Sequence, residues 1–425
     1  MRYLIKNGRV IDPASGTDDT LDILIEKKKI IRVETRINDP SARVIDASRK
    51  VVAPGFIDMH VHLREPGQEQ KETIKTGAAA AAKGGFTSIA CMPNTSPPND
   101  NTGVTEFILS QARKNSSVNV FPIAAVTQKF QGEALTEMAE LRNAGAVAFS
   151  DDGKPVWNSE IMRRALEYGK TITALIIDHC EDLNLSNRGV MNEGPTSYLL
   201  GLKGIPDYSE DVIVARDIIL AEKTGSPVHI AHVSTCGSVN LIREAKSRGV
   251  PVTCEVTPHH LFLDDSSLES FSTSLKVNPP LRSRKDQEAL RQALKDHTID
   301  VLATDHAPHS PDEKDVEFDQ APFGINGLET AVSLCLDRLV SKEIISLLRF
   351  VELISTNPAR ILGLNDKGRI SAGADADLTI LNLRKKTTVN VNSFLSKSRN
   401  NPFHGMDLKG IPEMTIVGGK IVYPA

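Results

Sequence analysis

The sequence at residues 49–62 reads RKVVAPGFIDMHVH, and it constrains the fold more than any other stretch. Its apolar and β-branched residues predict one strand buried on both faces, as parallel strands are. Side chains two residues apart on a strand point the same way, so His60 and His62 present two imidazoles together at its end. Such a pair supplies half of the ligands of a zinc ion. Asp58 lies on the same face, and we expect it to hydrogen-bond to a ligand histidine.

The middle of the chain repeats a strand followed by a helix. Further strand-like runs occur at residues 86–92, 118–126, 146–150, 171–178, 227–231, 251–256 and 299–304, with helical runs between them. Together with the strand at 51–62 they make eight strands, and a helix at 328–339 follows the last one. This alternation predicts an α/β fold, a parallel (β/α)8 TIM barrel.

The two ends of the chain have a different pattern. Residues 1–54 and 366–425 alternate in short hairpins, and their β-branched content argues against disorder. We expect the segments 3–10 and 414–422 to be partners. The pattern predicts a small β-sandwich domain formed by both chain termini, with a barrel domain at residues 55–365 inserted between its halves.

Composition argues against several classes of partner. The net charge of −4 and the pI of about 6.3 give no sign of a nucleic-acid or anionic-membrane partner. No apolar run reaches the length of a membrane span, and the N-terminus begins a strand pattern without a signal peptide. The five cysteines are odd in number and form no C-x-x-C motif, so we expect free thiols and a cytoplasmic protein.

Histidines and carboxylates gather where the predicted strands end. Nine of the eleven histidines lie at such positions, together with Asp152 and Asp305. In barrels of this kind the reactive groups sit at the carboxyl ends of the strands. Imidazole and carboxylate ligands together suit zinc. Five or six ligands exceed the four of one closed site, so the sequence favours two metal ions with a shared ligand.

Six segments resemble dihydroorotase of the bacterial class I type, a family of cyclic amidohydrolases. They are GFIDMHVHLR at 55–64, MPNT at 92–95, DHCE at 178–181, HIAHVS at 229–234, VNPPLR at 277–282 and ATDHAPH at 303–309. The resemblance spans nearly the whole chain, and the segments 278–282 and 305–309 separate it from hydantoinases and allantoinases. It implies the reversible cyclisation of N-carbamoyl-L-aspartate to L-dihydroorotate in pyrimidine biosynthesis. It also implies a homodimer that can associate with aspartate transcarbamoylase.

The resemblance implies a ligand set for one or two zinc ions, with two favoured. His60, His62 and Asp305 would bind the first ion, His179 and His232 the second, and Asp152 would bridge them. Asp151 is the alternative to Asp152, because neighbours on a strand face opposite sides. Many relatives use a carboxylated lysine as the bridge, and Lys154 is the candidate for that role here.

The resemblance also assigns the substrate contacts and the catalytic group. Asp305 would be catalytic, transferring a proton between water and the leaving nitrogen. The residues expected to contact substrate are His62, Arg64, Asn94, Asn278, His309, Phe323 and Gly324. Arg64 suits the carboxylate of dihydroorotate, since a guanidinium binds it through two parallel hydrogen bonds. Residues 310–327 are polar and contain glycine, as expected of an active-site lid.

Several neighbouring residues have a structural interpretation instead. We expect His259 and His260 to support the site rather than bind metal, and His229 to lie in the core. Cys180 should point away from His179 on its strand. Two other functions remain as alternatives: another cyclic amidohydrolase, such as a dihydropyrimidinase or allantoinase, or a non-catalytic homologue that scaffolds aspartate transcarbamoylase. A scaffold would have lost metal ligands, and this chain has all of them.

Overall fold

The computed structural model describes residues 2–424 and contains a parallel eight-stranded barrel, so the TIM-barrel prediction is confirmed. The barrel strands are Phe56–Val61, Phe86–Cys91, Asn119–Ala124, Ala148–Phe149, Leu175–Asp178, Val228–Ile230, Val252–Val256 and Val301–Leu302. Each strand pairs with the next one along the chain. The end of the barrel closes where Val61 bridges His306 and the His62 N–H donates to the His306 carbonyl at 2.8 Å.

Helices cover the barrel on its outside. Those between the strands are Ile74–Gly84, Thr102–Asn115, Met138–Ala144, Ser159–Thr171, Tyr208–Thr224, Cys236–Ser247 and Arg284–Lys295. The first begins at a Thr73 capping box and buries alanines at 78 and 80–82, so it packs close to the strands. It ends at Gly85, whose φ of 92° favours glycine.

Shorter elements lie in the connections between the barrel strands and after the last of them. They are the helices Leu183–Ser186, Pro195–Leu200, Pro258–Phe262, Pro311–Lys314, Ala331–Cys335, Leu347–Val351 and Asn357–Ile361, and the paired strands Met191–Asn192 and Gly204–Ile205. The helix predicted at 328–339 is shorter as an α-helix and continues as a wider π turn over Leu336–Val340.

The stretch at 49–62 is two strands rather than the one predicted. Val51–Pro54 belongs to the sheet of the chain ends, and Phe56–Val61 is the first barrel strand. The chain changes sheet at Gly55, whose N–H donates to the Asp377 carbonyl at 2.8 Å. A Cβ at Gly55 would lie 2.1 Å from the hydroxyl oxygen of Thr87. The apolar pattern continues through this junction and therefore does not reveal it.

The two chain ends form one small β domain. Its strands are Arg2–Asp12, Thr17–Glu26, Lys29–Glu34, Arg43–Asp46, Val51–Pro54, Leu378–Thr388, Asp407–Val417 and Lys420–Tyr423, all in one hydrogen-bonded sheet. Leu378–Thr388 pairs antiparallel with Val51–Pro54 and so joins the two halves. The segments 3–10 and 414–422 share this sheet, but the strands Val51–Pro54 and Leu378–Thr388 lie between them, so they are not direct partners.

The chain between the strands Leu378–Thr388 and Asp407–Val417 leaves this sheet and crosses to the barrel. We call residues 389–406 the strap. Its base is closed by a hydrogen bond from the Val389 N–H to the Met406 carbonyl at 2.9 Å. Phe394 and Phe403 of the strap are buried against Leu334 of the barrel domain. Among residues 2–424, no helix is long and apolar enough to span a membrane.

Candidate active site

The end of the first barrel strand faces the end of the eighth. His60 Nε2 lies 3.5 Å and His62 Nε2 lies 3.1 Å from Asp305 Oδ1. All three side chains are buried. The period-two argument is therefore confirmed for the two histidines: both imidazoles point to one place, and Asp305 joins them there.

Asp152 lies among four histidines. Its Oδ1 is 3.3 Å from His60 Nε2, 3.4 Å from His232 Nε2 and 3.9 Å from His179 Nδ1. Its Oδ2 is 3.5 Å from His62 Nε2. One carboxylate thus reaches every imidazole of the predicted ligand set, which is the position that a bridging ligand requires.

The two alternatives to Asp152 lie elsewhere. Asp151 accepts hydrogen bonds from the backbone N–H groups of Val126 and Thr127, each at 2.9 Å, and from the Thr127 hydroxyl. Burial raises its pKa to about 6. Lys154 is exposed. Asp151 therefore fixes the turn after the third strand, and Asp152 alone of the three reaches the histidines.

The residues present fit a metal ion. His60 Nε2 and Asp152 Oδ1 are buried and have no hydrogen-bond partner. Buried polar atoms without a partner are costly, and a bound cation would satisfy them. Two overlapping groups, His60 with His62 and Asp305, and His60 with Asp152 and His232, have ligand atoms close enough to share an ion. Imidazole nitrogens and carboxylate oxygens form the ligand set that zinc takes.

Glu255 orients His60, and the sequence analysis missed it. Its Oε1 lies 2.5 Å from His60 Nδ1, and its Oε2 lies 3.3 Å from His229 Nε2. Burial raises the pKa of Glu255, but His60 and His229 outweigh burial and bring it down to about 2. The carboxylate thereby holds the outer nitrogen of His60 and leaves Nε2 for the centre. The signal was a charged residue, a glutamate, inside the otherwise uncharged strand Val252–Val256.

Asp58 has a different role from the one predicted. Its carboxylate accepts from the backbone N–H groups of His60 and Thr304, each at 3.2 Å, and from the Thr304 hydroxyl at 2.6 Å. Burial raises its pKa to about 6. Asp58 therefore ties the first strand to the eighth through the backbone, while Glu255 supports the imidazole.

His179 and His232 meet on the opposite side of Asp152. His179 Nδ1 is 2.9 Å from His232 Nε2, and His179 Nε2 is 3.1 Å from Glu181 Oε2. Asn278 donates to the same Glu181 oxygen at 2.9 Å. Glu181, within a motif quoted above but without a predicted role, thus connects His179 with one of the expected substrate contacts.

The backbone is strained at two of these positions. Asp305 has a φ of 46° and His232 a φ of 30°, in the region that L-residues rarely adopt. Such strain concentrates at functional sites. Burial raises the pKa of Asp305, but the hydrogen bond with His62 and the charges of the nearby histidines hold it well below its ordinary value.

A cavity of about 200 Å³ opens above the histidines. Its lining includes every predicted site residue except His60: His62, Arg64, Asn94, Asp152, His179, His232, Asn278, Asp305, His309, Phe323 and Gly324. Asn94 Oδ1 lies 2.8 Å from His62 Nδ1. Arg64 is buried, its Nε donates to the Pro308 carbonyl at 3.2 Å, and burial lowers its pKa to about 10, so it stays charged.

The predicted lid at 310–327 packs down on the barrel mouth. His309 Nε2 donates to the Phe323 carbonyl at 2.8 Å, and the Gly324 N–H donates to the Lys276 carbonyl at 2.9 Å. Burial and the charge of Arg64 lower the pKa of His309 to about 3, which keeps its imidazole neutral. Lys276 Nζ donates to the Phe318 carbonyl at 2.8 Å.

The remaining histidines lie outside the predicted ligand set, as expected. His260 bonds Thr257 at 2.8 Å and the Pro279 carbonyl at 2.9 Å, which fixes the segment that carries Asn278. The His259 ring lies beside it, with the two ring centroids 4.5 Å apart, and burial lowers the pKa of His259 to about 4. His229 lies in the core between Thr253 and Glu255. Cys180 contacts Asp217, away from His179.

The chain is similar to known proteins in both sequence and structure. Residues 49–238 match a family described as Dihydro-orotase-like. The chain is 56% identical to a dihydroorotase from Pelotomaculum thermopropionicum over 99% of this chain and 98% of that protein. It is 53% identical to a dihydroorotase from Geobacter metallireducens over the whole of both. Among solved structures it is similar to an L-hydantoinase (dihydropyrimidinase) from Arthrobacter aurescens, with a TM-score of 0.90, 27% identity and coverage of 99% and 95% of the two chains.

Proposed function

We propose that this chain, which belongs to the dihydroorotase family and is a hydrolase of cyclic amides, interconverts N-carbamoyl-L-aspartate and L-dihydroorotate. One observation carries the proposal: six potential metal ligands converge beneath a cavity that is also lined by the buried cation Arg64. A metal centre suits hydrolysis of an amide, and the cation suits a substrate with a carboxylate.

Two zinc ions are the metal content that we propose. His60, His62 and Asp305 would hold one, His179 and His232 the other, and Asp152 would lie between them. The distances from Asp152 to the four imidazoles support this arrangement. Bound there, zinc would polarise the amide carbonyl and lower the pKa of water.

Asp305 is the proposed proton carrier. In ring opening its carboxylate accepts a proton from the attacking water and delivers it to the leaving ring nitrogen; in ring closure the same proton moves in reverse. The low pKa of Asp305 keeps the group ionised before the reaction, as a proton acceptor must be. Its contacts with His60 and His62 support a role for this carboxylate beside the proposed metal ions.

Arg64, Asn94, Asn278 and His309 are the proposed polar contacts of the substrate. Arg64 uses Nε for the Pro308 carbonyl, and within residues 2–424 its terminal nitrogens have no hydrogen bond to the protein, so both can meet a carboxylate. Asn94 and Asn278 add neutral amides. Phe323 and Gly324 present the lid backbone to the ring.

The test combines metal analysis with a panel of substrates. Purified protein should contain close to two zinc ions per chain and should open the ring of L-dihydroorotate much faster than that of dihydrouracil, hydantoin or allantoin. Preference for an uncharged ring would favour the dihydropyrimidinase-like alternative. Metal-free protein without turnover of any of these would favour the scaffold alternative.

We also propose a cytoplasmic homodimer that can associate with aspartate transcarbamoylase. Tyr198 and Leu199, on the short helix Pro195–Leu200, are 87% and 77% exposed. Large apolar side chains left in water are typical of surfaces that contact another protein. Light scattering measures the molar mass of the purified chain, alone and mixed with the transcarbamoylase, and so tests both associations. A monomer that does not bind the transcarbamoylase would contradict them.

A further inference from the structure

We propose that Asn400, on the strap, is a positioning residue for the substrate cavity, although it is far in sequence from every predicted site residue. Asn400 does not line the cavity itself. It acts through His309 and Gly324, which do. The inference rests on the proposed function to the extent that these two residues contact substrate.

The side chain of Asn400 binds both residues at once. Its Nδ2 donates to the Gly324 carbonyl at 2.8 Å, and its Oδ1 accepts from the His309 N–H at 3.4 Å. His309 in turn donates from its ring to the Phe323 carbonyl at 2.8 Å. These three hydrogen bonds close a ring through Asn400, His309 and the carbonyls of the neighbouring residues Phe323 and Gly324. The ring fixes the imidazole and the lid backbone relative to each other.

The lid backbone needs such support at this point. Gly324 has a φ of 126°, and a Cβ there would lie 2.8 Å from the Ala307 carbonyl oxygen. The chain therefore passes very close to the strand end that carries Asp305. The Asn400 carboxamide binds the carbonyl of that same residue, so it controls how the lid approaches the cavity.

The strap is anchored well enough to act as a fixed support. The Asn326 N–H donates to the Asn400 carbonyl at 3.1 Å, and the Asn326 side chain donates to the Ser398 carbonyl at 2.9 Å. The buried Glu72 accepts from the Ser396 hydroxyl and also from the Lys397 N–H at 3.3 Å. Asn400 itself is only 6% exposed, and its Oδ1 also accepts from the Ser398 hydroxyl.

Asn401 provides a matched control. It is the next residue and is 5% exposed. Its Nδ2 donates to the Asn326 carbonyl at 2.7 Å, and its Oδ1 accepts from the Phe403 N–H at 2.9 Å. Asn401 therefore anchors the same strap to the same loop, but its side-chain hydrogen bonds reach no residue that lines the cavity.

The experiment compares Asn400→Ala, Asn400→Asp and Asn401→Ala in the full-length, zinc-loaded protein. Asn400→Ala should raise KM for the cyclic amide by about tenfold or more and change kcat by less than about threefold, because a substrate contact loses its placement while the metal ligands keep theirs. Asn400→Asp should raise KM at least as much, since a carboxylate would face the Gly324 carbonyl. Asn401→Ala should lower the melting temperature by a similar amount but leave KM within about twofold. All three should keep the wild-type zinc content.

Equal KM changes in Asn400→Ala and Asn401→Ala would overturn the proposal, as would an unchanged KM in both Asn400 variants. Failure of both Asn400 variants to fold would also overturn it, because the residue would then act on stability alone. KM is expressed relative to wild type on whichever cyclic amide the wild type opens. A wrong substrate assignment would therefore appear in the wild-type panel, separately from this ratio.

Discussion

The two ends of the active-site cavity are built in different ways. At the metal end, His60 and His62 project from a strand whose backbone is hydrogen-bonded within the barrel, and Asp58 fixes that backbone to the eighth strand. At the end where we propose substrate contacts, His309 and Gly324 lie on loops, and Gly324 is held by the Lys276 carbonyl and by the Asn400 side chain of the strap. The metal end is thus positioned by the barrel itself, and the substrate end by contacts between distant segments. Changes at the first should affect chemistry, and changes at the second should affect binding.

Metal removal should have the largest effect, because it acts on the end of the cavity that we expect to carry out the chemistry. Chelation should abolish turnover, because the carbonyl is no longer polarised and the buried ligand atoms are left without a partner. Ring opening of dihydroorotate is measured before and after dialysis against a chelator, then after zinc is returned. A chelator already saturated with zinc serves as the control. Full activity in metal-free protein would contradict the proposed centre.

Asp305→Asn should reduce kcat by about 10²–10⁴-fold or more, since an amide cannot carry the proton and general acid–base catalysis contributes about that much. Asp151→Asn is the matched control: this buried aspartate binds backbone N–H groups rather than the histidines. It should lose stability while each folded molecule keeps near wild-type turnover. Steady-state kinetics with thermal unfolding separates the two, and wild-type kcat in Asp305→Asn would reject the assignment.

Glu255→Gln should weaken zinc binding by about 10–100-fold, the usual effect of losing a partner that orients a ligand histidine. Competition with a coloured chelator measures the affinity. Glu181→Gln should have a smaller effect, because the Glu181 side chain is 13% exposed whereas that of Glu255 is fully buried. Unchanged zinc affinity in Glu255→Gln would show that His60 is oriented by the barrel alone.

Arg64→Lys should raise KM for dihydroorotate by about tenfold, since an ammonium cannot reproduce the planar fork that meets both carboxylate oxygens. KM for an uncharged dihydropyrimidine should change little. Arg282→Lys is the control, because Arg282 is also buried but binds Ser234, Asn192 and the Ile205 carbonyl. An equal effect of Arg64→Lys on both substrates would mean that Arg64 does not recognise the carboxylate.

The sequence predicts the metal end of the cavity better than the substrate end. Period-two alternation places His60 with His62 and turns Cys180 away from His179, because both are local consequences of strand geometry. It cannot choose between Asp151 and Asp152, since both lie beyond the short strand Ala148–Phe149. Glu255 and Asn400 escape prediction because their partners are 195 and 76 residues away along the chain.

In the domain formed by the chain ends, too, local sequence patterns do not predict contacts between distant residues. Hairpin patterns predict the small β domain, but the order of its strands depends on which distant edges meet. The change of sheet at Gly55 depends on contacts with Thr87 and Asp377, which no local pattern contains. The boundaries of the two domains, at 54/55 and 365/366, remain a prediction that the position of Gly55 supports.

The position of the strap near the end of the chain sets the order in which the enzyme can be completed during synthesis. His60 and His62 leave the ribosome early, and Asp305 much later. The support for the lid arrives last, when Asn400 follows the strand Leu378–Thr388 that also joins the two halves of the β domain. A chain that stops before the strap contains every predicted metal ligand but lacks Asn400 and its hydrogen bonds to the lid. The residues of the proposed metal centre are thus synthesised before the residue that supports the lid.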